Sequence, residues 1–274
     1  MSKRSYERRI QAKRDAAKVA RKRAERMRKI RIWLSATAAV VLALVLFLVF
    51  RPSGTEPTAQ PTTSGSPTAA PSTVAAPCPG PTPAAPKDLT FPSAPADSID
   101  ENKIYVATFQ TSCGTFKVQM DPKTAPKTVN NFVFLARQGY YDGSQFHRVQ
   151  NEADFAIVQG GDPNGDPPGT GGPGYSYDGE TPAPTAKYLR GTIAMANSGG
   201  PSSNGSQFFV VVKDWAGLPP NYTIFGKVID ETNSFAGLDK MITAGGEPIQ
   251  GGLGTKPIPP IFLIKVTIEE LARS

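Results

Sequence analysis

The globular part of this sequence predicts an all-β dominated fold, an antiparallel barrel or sandwich with helices over its open ends. Three observations carry the prediction. Residues 101–274 hold seven short stretches of strand character, only two stretches have helical period, and Gly/Pro-rich segments separate many of them. The regular strand–helix alternation of a parallel α/β sheet is absent, and about 170 residues suffice for one packed core.

The strand stretches, in order, are 104–110, 114–120, 156–159, 192–196, 208–213, 223–229 and 260–269. Val129, Phe132, Val133 and Ala136 recur at helical spacing, and Gly139 stops that helix. Phe235, Leu238, Met241 and Ile242 form a second, shorter apolar stripe, stopped by Gly245 and Gly246.

The N-terminal third differs. Net charge is +7 over 274 residues, but residues 1–31 hold 14 Lys/Arg against 3 Asp/Glu, so the remainder is acidic. That Ala/Arg/Lys-rich segment predicts a basic helix, a topology signal with possible contact to anionic lipid or RNA; no DNA contact is expected. Residues 32–50 carry no charge, and at about 1.5 Å per residue they match a hydrocarbon core of roughly 30 Å. The Lys/Arg excess before this run predicts a single-pass signal anchor in the cell membrane, N-terminus cytoplasmic, the rest extracellular. Residues 51–100, with 12 prolines among Thr, Ser and Ala, predict a disordered linker. The domain is expected to begin at residue 101.

Two cysteines exclude a disulfide scaffold, and one histidine excludes a zinc site of several Cys and His ligands. In an exported chain Cys78 and Cys113 are free to bridge or to stay separate thiols. Gly169-Thr170-Gly171-Gly172-Pro173-Gly174 matches a dinucleotide-loop pattern, but prolines precede it and no helix follows. No G-x-S-x-G accompanies His147, which argues against a serine hydrolase.

What remains is an ordered set of motifs. Phe146-His147-Arg148 follows the first helix. Gln159-Gly160-Gly161-Asp162 closes an apolar strand. Met195-Ala196-Asn197, then Asn204-Gly205-Ser206-Gln207-Phe208-Phe209 and Phe225-Gly226-Lys227-Val228 complete it. In this order, over residues 103–269, the chain resembles the cyclophilin family of peptidyl-prolyl cis–trans isomerases, in particular the membrane-anchored forms of high-GC Gram-positive bacteria.

The resemblance implies an eight-stranded antiparallel barrel capped by two helices, a groove on its outer face, and no metal or cofactor. It implies an enzyme that speeds X–Pro rotation in folding extracytoplasmic polypeptides. The alternative is a membrane-tethered module that binds proline-containing segments with incidental isomerase activity. By resemblance Arg148 stabilises the twisted amide and His147 lines the groove beside it. Gln159 binds substrate backbone and positions Arg148. Phe209 is the floor of the proline pocket, Phe155 an aromatic wall and Leu218 an aliphatic one. Asn197 anchors the peptide next to Gln207. Gly169, Thr170, Gly171, Ala196 and Ser198 form the neighbouring pocket for residues before the proline. The segment between Arg148 and Gln159 is longer than usual, so Ala156 and Ile157 compete with Phe155. Tyr222 falls where many members have a second histidine. Gly217 falls where many have a tryptophan, and Trp215, two positions away, is not expected in the pocket.

Overall fold

The computed structural model describes residues 78–249 and 252–273. The basic segment 1–31, the apolar run 32–50 and residues 51–77 of the linker lie outside the described residues. Among those described, no helix is long and apolar enough to cross a membrane.

Eleven strands form one antiparallel sheet with the order β3-β11-β1-β2-β8-β6-β7-β5-β4-β10-β9. They are β1 (Lys103–Thr111), β2 (Gly114–Met120), β3 (Ser144–Phe146), β4 (Arg148–Asn151), β5 (Ala156–Gly160), β6 (Thr192–Met195), β7 (Phe208–Lys213), β8 (Ile224–Ile229), β9 (Gly246–Pro248), β10 (Thr255–Pro257) and β11 (Ile261–Ala272). Eight of them have four residues or more; β3, β9 and β10, the additions to the expected eight, have three each. Phe146 of the end strand β3 lies against β5, where a Cβ on Gly160 would stand 3.2 Å from its ring.

Alternation sets which face is which. In β2, Phe116, Val118 and Met120 point inward while Thr115, Lys117 and Gln119 stay out. In β7 both neighbours are buried, but on opposite faces: Phe208 joins the main core and Phe209 a second cluster. The main core is aromatic. Phe109 stacks on Phe116 with ring centroids 4.4 Å apart, and Phe132, Phe146, Phe208 and Phe225 surround them.

Helix α1 (Pro126–Arg137) starts with proline in its first turn, where no backbone donor is needed. It ends in a Schellman motif: Gly139 (φ +68°) donates to Ala136 O and Tyr140 to Leu135 O. Val129, Phe132, Val133 and Ala136, the residues of the sequence stripe, are buried. Helix α2 (Glu231–Ile242) buries Phe235, Leu238 and Met241.

Residues 78–100 are not part of a free linker. Cys78 is bonded to Cys113, with Cα atoms 4.3 Å apart. The chain then runs along the domain as a strap, with Leu89, Phe91 and Ile99 packed against the core. Proline-rich composition suggested disorder because it lacks periodicity. This segment is held instead by isolated apolar anchors and side-chain hydrogen bonds that no period announces.

Candidate active site

Strand register builds the site. Arg148 on β4 faces Gln159 on β5, Gln159 faces Phe209 on β7, and Phe209 faces Ala194 on β6. Adjacent strands are about 4.8 Å apart, so the sheet lays a guanidinium, an amide and an aromatic ring in one row.

Hydrogen bonds fix the polar end. Arg148 Nη1 donates to Gln159 Oε1 at 2.9 Å, Nη2 to Gln150 Oε1 at 2.5 Å, and Nε to the Leu253 carbonyl at 2.7 Å. A guanidinium has five N–H groups. One therefore stays free on each terminal nitrogen. Burial lowers the Arg148 pKa from its ordinary value, but guanidinium remains the cation at neutral pH. The line continues: Gln159 Nε2 donates to Gln207 Oε1 at 3.1 Å, and Gln207 Nε2 donates to the carbonyls of Gly169 and Gly171, both at 3.0 Å. Gln150 and Leu253 carried no motif. Leu253 reaches Arg148 because the β9–β10 hairpin docks on β4, with Thr255 opposite Val149.

The apolar end is a cluster of Ile157, Tyr188, Ala194, Phe209 and Val211, with Ala196, Trp215, Leu218, Tyr222 and Ile224 packed on it. Tyr222 stands edge-on to Phe209, centroids 5.5 Å apart. The Tyr188 hydroxyl donates to Tyr222 O and accepts from Tyr222 N–H, which fixes Tyr222 in the wall. Leu218 and Tyr222, both named from the resemblance, are thus packed on the cluster that contains Phe209.

Three expectations are corrected. Phe155 precedes β5 and closes the turn from β4, its carbonyl accepting the Glu152 N–H. Ile157 takes the place beside Phe209, and Phe155 flanks it by stacking on Trp215 at 4.1 Å between centroids. Trp215 is therefore a wall residue after all, since the chain turns back there and Trp215 N–H donates to Tyr188 O. His147 is not exposed in the groove: it is 6% exposed and lies beneath Gly169, where a Cβ would stand 3.1 Å from its ring. Among the described residues neither of its ring nitrogens has a hydrogen-bond partner. Burial drives its pKa down to about 4, against the pull of Asp162.

Beside the apolar cluster a cavity of about 310 Å3 opens, lined by Gly169, Thr170, Gly171, Ala196, Asn197, Ser198 and Gln207 among others. The five residues expected in the neighbouring pocket are all there. Asn197 shapes its rim: Nδ2 donates to Asn221 O and Oδ1 accepts the Gly200 N–H, each at 2.9 Å. Asp162, which the sequence shows in a motif but gives no role, is the inner post. It is 5% exposed and accepts the N–H groups of Gly165, Gly169 and Gly171. Among the described residues no three His, Cys, Asp or Glu side chains gather as metal ligands.

Arg148 is half-buried beside the aromatic cluster and the second, more polar pocket, and the chain that carries this row has relatives. Residues 106–265 match the model of the cyclophilin type peptidyl-prolyl cis-trans isomerase family. The chain is 38% identical over 170 residues to the probable peptidyl-prolyl cis-trans isomerase B of Mycobacterium tuberculosis, covering 58% of this chain and 53% of that protein. It therefore spans about half the length of that relative. It is 41% identical over 164 residues to the peptidyl-prolyl cis-trans isomerase CYP18-1 of Arabidopsis thaliana, covering 59% of this chain and 94% of that one. Among solved structures it is similar to a cyclophilin type peptidyl-prolyl cis-trans isomerase of Cryptosporidium parvum, with TM-score 0.51 and 33% identity over 61% of this chain and 98% of that one. That protein has also been crystallised in the presence of the dipeptide Ala-Pro.

Proposed function

The chain belongs to the cyclophilin-type peptidyl-prolyl cis–trans isomerase family, and from that premise we propose that it accelerates X–Pro rotation in folding polypeptides by stabilising the twisted amide with Arg148. The observation that carries this is the register row Arg148–Gln159–Phe209. Amide resonance sets a barrier of about 18–20 kcal/mol to rotation. At the twist the proline nitrogen leaves conjugation and its lone pair becomes an acceptor. An N–H aimed there is stronger in the transition state than in the planar ground state, which is what lowers a barrier.

The assignment of roles follows the geometry. Phe209, with Ile157, Leu218, Trp215 and Tyr222, holds the proline ring. The two unspent N–H groups of Arg148 serve the turning bond. Gln159 and Gln150 keep the guanidinium plane fixed, so no reorganisation is needed as the amide twists. Asn197 and Gln207 border the pocket for the residues before the proline. No bond to the enzyme forms.

The wider setting is part of the same proposal. The sheet closes as an eight-stranded barrel capped by α1 and α2, supported by the approach of β3 to β5. The chain is a membrane-anchored isomerase of the high-GC Gram-positive type, single-pass, N-terminus cytoplasmic and domain extracellular. The uncharged run 32–50 and the basic residues before it support this, as does the likeness to a mycobacterial protein. Its partners are proline-containing polypeptides and the membrane, with lipid or RNA contact open to residues 1–31.

Isomerisation of an X–Pro peptide by the full chain in detergent, wild type against Arg148→Ala, tests the proposal. Removing one transition-state donor should cost on the order of a hundredfold in rate. A folded wild type with no turnover above background sinks it and favours the Pro-segment binding module.

A further inference from the structure

The loop that walls the upstream pocket, residues 163–174, is held from three sides. Asp162 holds it from beneath through three N–H groups, and Gln207 holds it from the groove through two carbonyls. The third support is the strap. Phe91 N–H donates to Pro173 O at 2.8 Å, and Asn164 Nδ2 donates to Leu89 O at 2.8 Å. Gly174 sits at φ +93°, and a Cβ there would stand 2.7 Å from Phe91 O. Strap and loop backbones therefore touch, and only glycine permits it. Pro173 itself lines the pocket.

The strap is anchored well enough to transmit position. The Phe91 ring stands edge-on to Phe134 of α1, centroids 5.1 Å apart. Asn130 of the same helix clamps the segment beyond: Oδ1 accepts the Ser98 N–H and Nδ2 donates to Ala96 O, both at 3.0 Å. Cys78 ties the near end to the β1–β2 turn through Cys113, and Gly80 N–H donates to Ser112 O beside it.

We propose that the strap, through Leu89 and Phe91, is a positioning element for the pocket that receives residues preceding proline. Selectivity for that part of the peptide is then set from outside the groove, by chain that precedes the barrel. Phe91 is a positioning residue: it touches neither substrate nor Arg148. The inference rests on the isomerase reading of the groove.

The test uses the full chain as wild type, Phe91→Ala and Phe91→Leu, the last retaining an apolar contact on Phe134. Two substrates are compared. One is a tetrapeptide whose residues before proline reach the pocket. The other is an Ala-Pro peptide that ends short of it. Phe91→Ala should raise KM for the tetrapeptide about tenfold with kcat within about twofold, and leave the short peptide unchanged. Phe91→Leu should restore most of the KM. Amide exchange at Gly169 and Gly171 should quicken by about tenfold or more in Phe91→Ala alone. Equal losses on both peptides, or an unchanged KM with unchanged exchange, overturn the proposal. If wild type turns over neither peptide, the isomerase reading fails, and the exchange rates still decide whether the strap holds the loop.

Discussion

Burial holds the His147 imidazole neutral, with a pKa of about 4 against an ordinary value of 6.5. The unfolded chain therefore takes up a proton below pH 6.5 that the folded chain refuses until near pH 4. The stability associated with this group is fully present above pH 6.5 and is lost as pH falls toward 4, by about 3 kcal/mol in all. Arg148 opposes the imidazolium and Asp162 favours it, and neither outweighs desolvation. Because both ring nitrogens lack partners among the described residues, an apolar replacement forfeits no hydrogen bond to them. His147→Leu is expected to match wild type within about 1 kcal/mol at pH 7 and to exceed it at pH 4.5. Urea melts at the two pH values check this, and a wild type that loses no more than the variant on acidification refutes it. The residue next to Arg148 thus packs beneath Gly169 of the loop. Sequence could name His147 but not its direction, because a motif records order along the chain and not which side of a strand end a ring enters. Arg148, Gln159, Gln207 and Phe209 were legible through the ordered motifs that resemble the cyclophilin family rather than through strand character, since β4 is not among the predicted stretches and Gln207 precedes β7. The roles of Gln150, Asp162 and Leu253 were not legible, because each acts through a hydrogen bond that only the folded chain creates.

Strands with a clear apolar alternation, such as β2, or a continuous apolar run, such as β7, were readable, and both have the bounds their patterns suggest. Strand β4, Arg148-Val149-Gln150-Asn151, has a single apolar residue, because its other face belongs to the site. The three-residue strands β3, β9 and β10 exist only by pairing with neighbours already in place. The turn leaving β5 illustrates how elements are locked together. Gly161 is at φ +88°, and a Cβ there would stand 2.6 Å from Ser206 O and 2.9 Å from the Phe208 ring. Ser206 Oγ donates back to Gly161 O, so β5 and the approach to β7 close on each other at this glycine. Gln207 is the next residue. Gly161→Ala must both strain the backbone and push Ser206 away, and is expected to destabilise by about 2 kcal/mol or more. Chemical denaturation reads the loss. A variant within about 0.5 kcal/mol of wild type would show that the turn relaxes freely.

Covalent and non-covalent anchors tie the strap to the β-sheet and α1, and the boundary at residue 101 drawn from composition separates them. A chain begun there would lack Cys78, Leu89 and Phe91, and would uncover the Phe134 face of α1. The disulfide closes a loop with a sequence separation of 35 residues, for which chain entropy gives roughly 3–4 kcal/mol of stabilisation. That gain reaches the global unfolding free energy only if the strap stays docked until the sheet opens. A strap that frays first would confine the effect to local exchange. The anchors at Asn130, Asn164 and Phe91 are spread along its length and into two different elements, which favours joint unfolding. Replacing both Cys78 and Cys113 by alanine in the full chain should therefore lower the unfolding free energy by about 2–4 kcal/mol, in a single transition. Urea unfolding followed by far-UV circular dichroism measures it. An unchanged midpoint with faster exchange at Gly169 and Gly171 would mean that the strap opens by itself, and the upstream pocket would then be tuned by the redox state of one bond while the sheet stays folded.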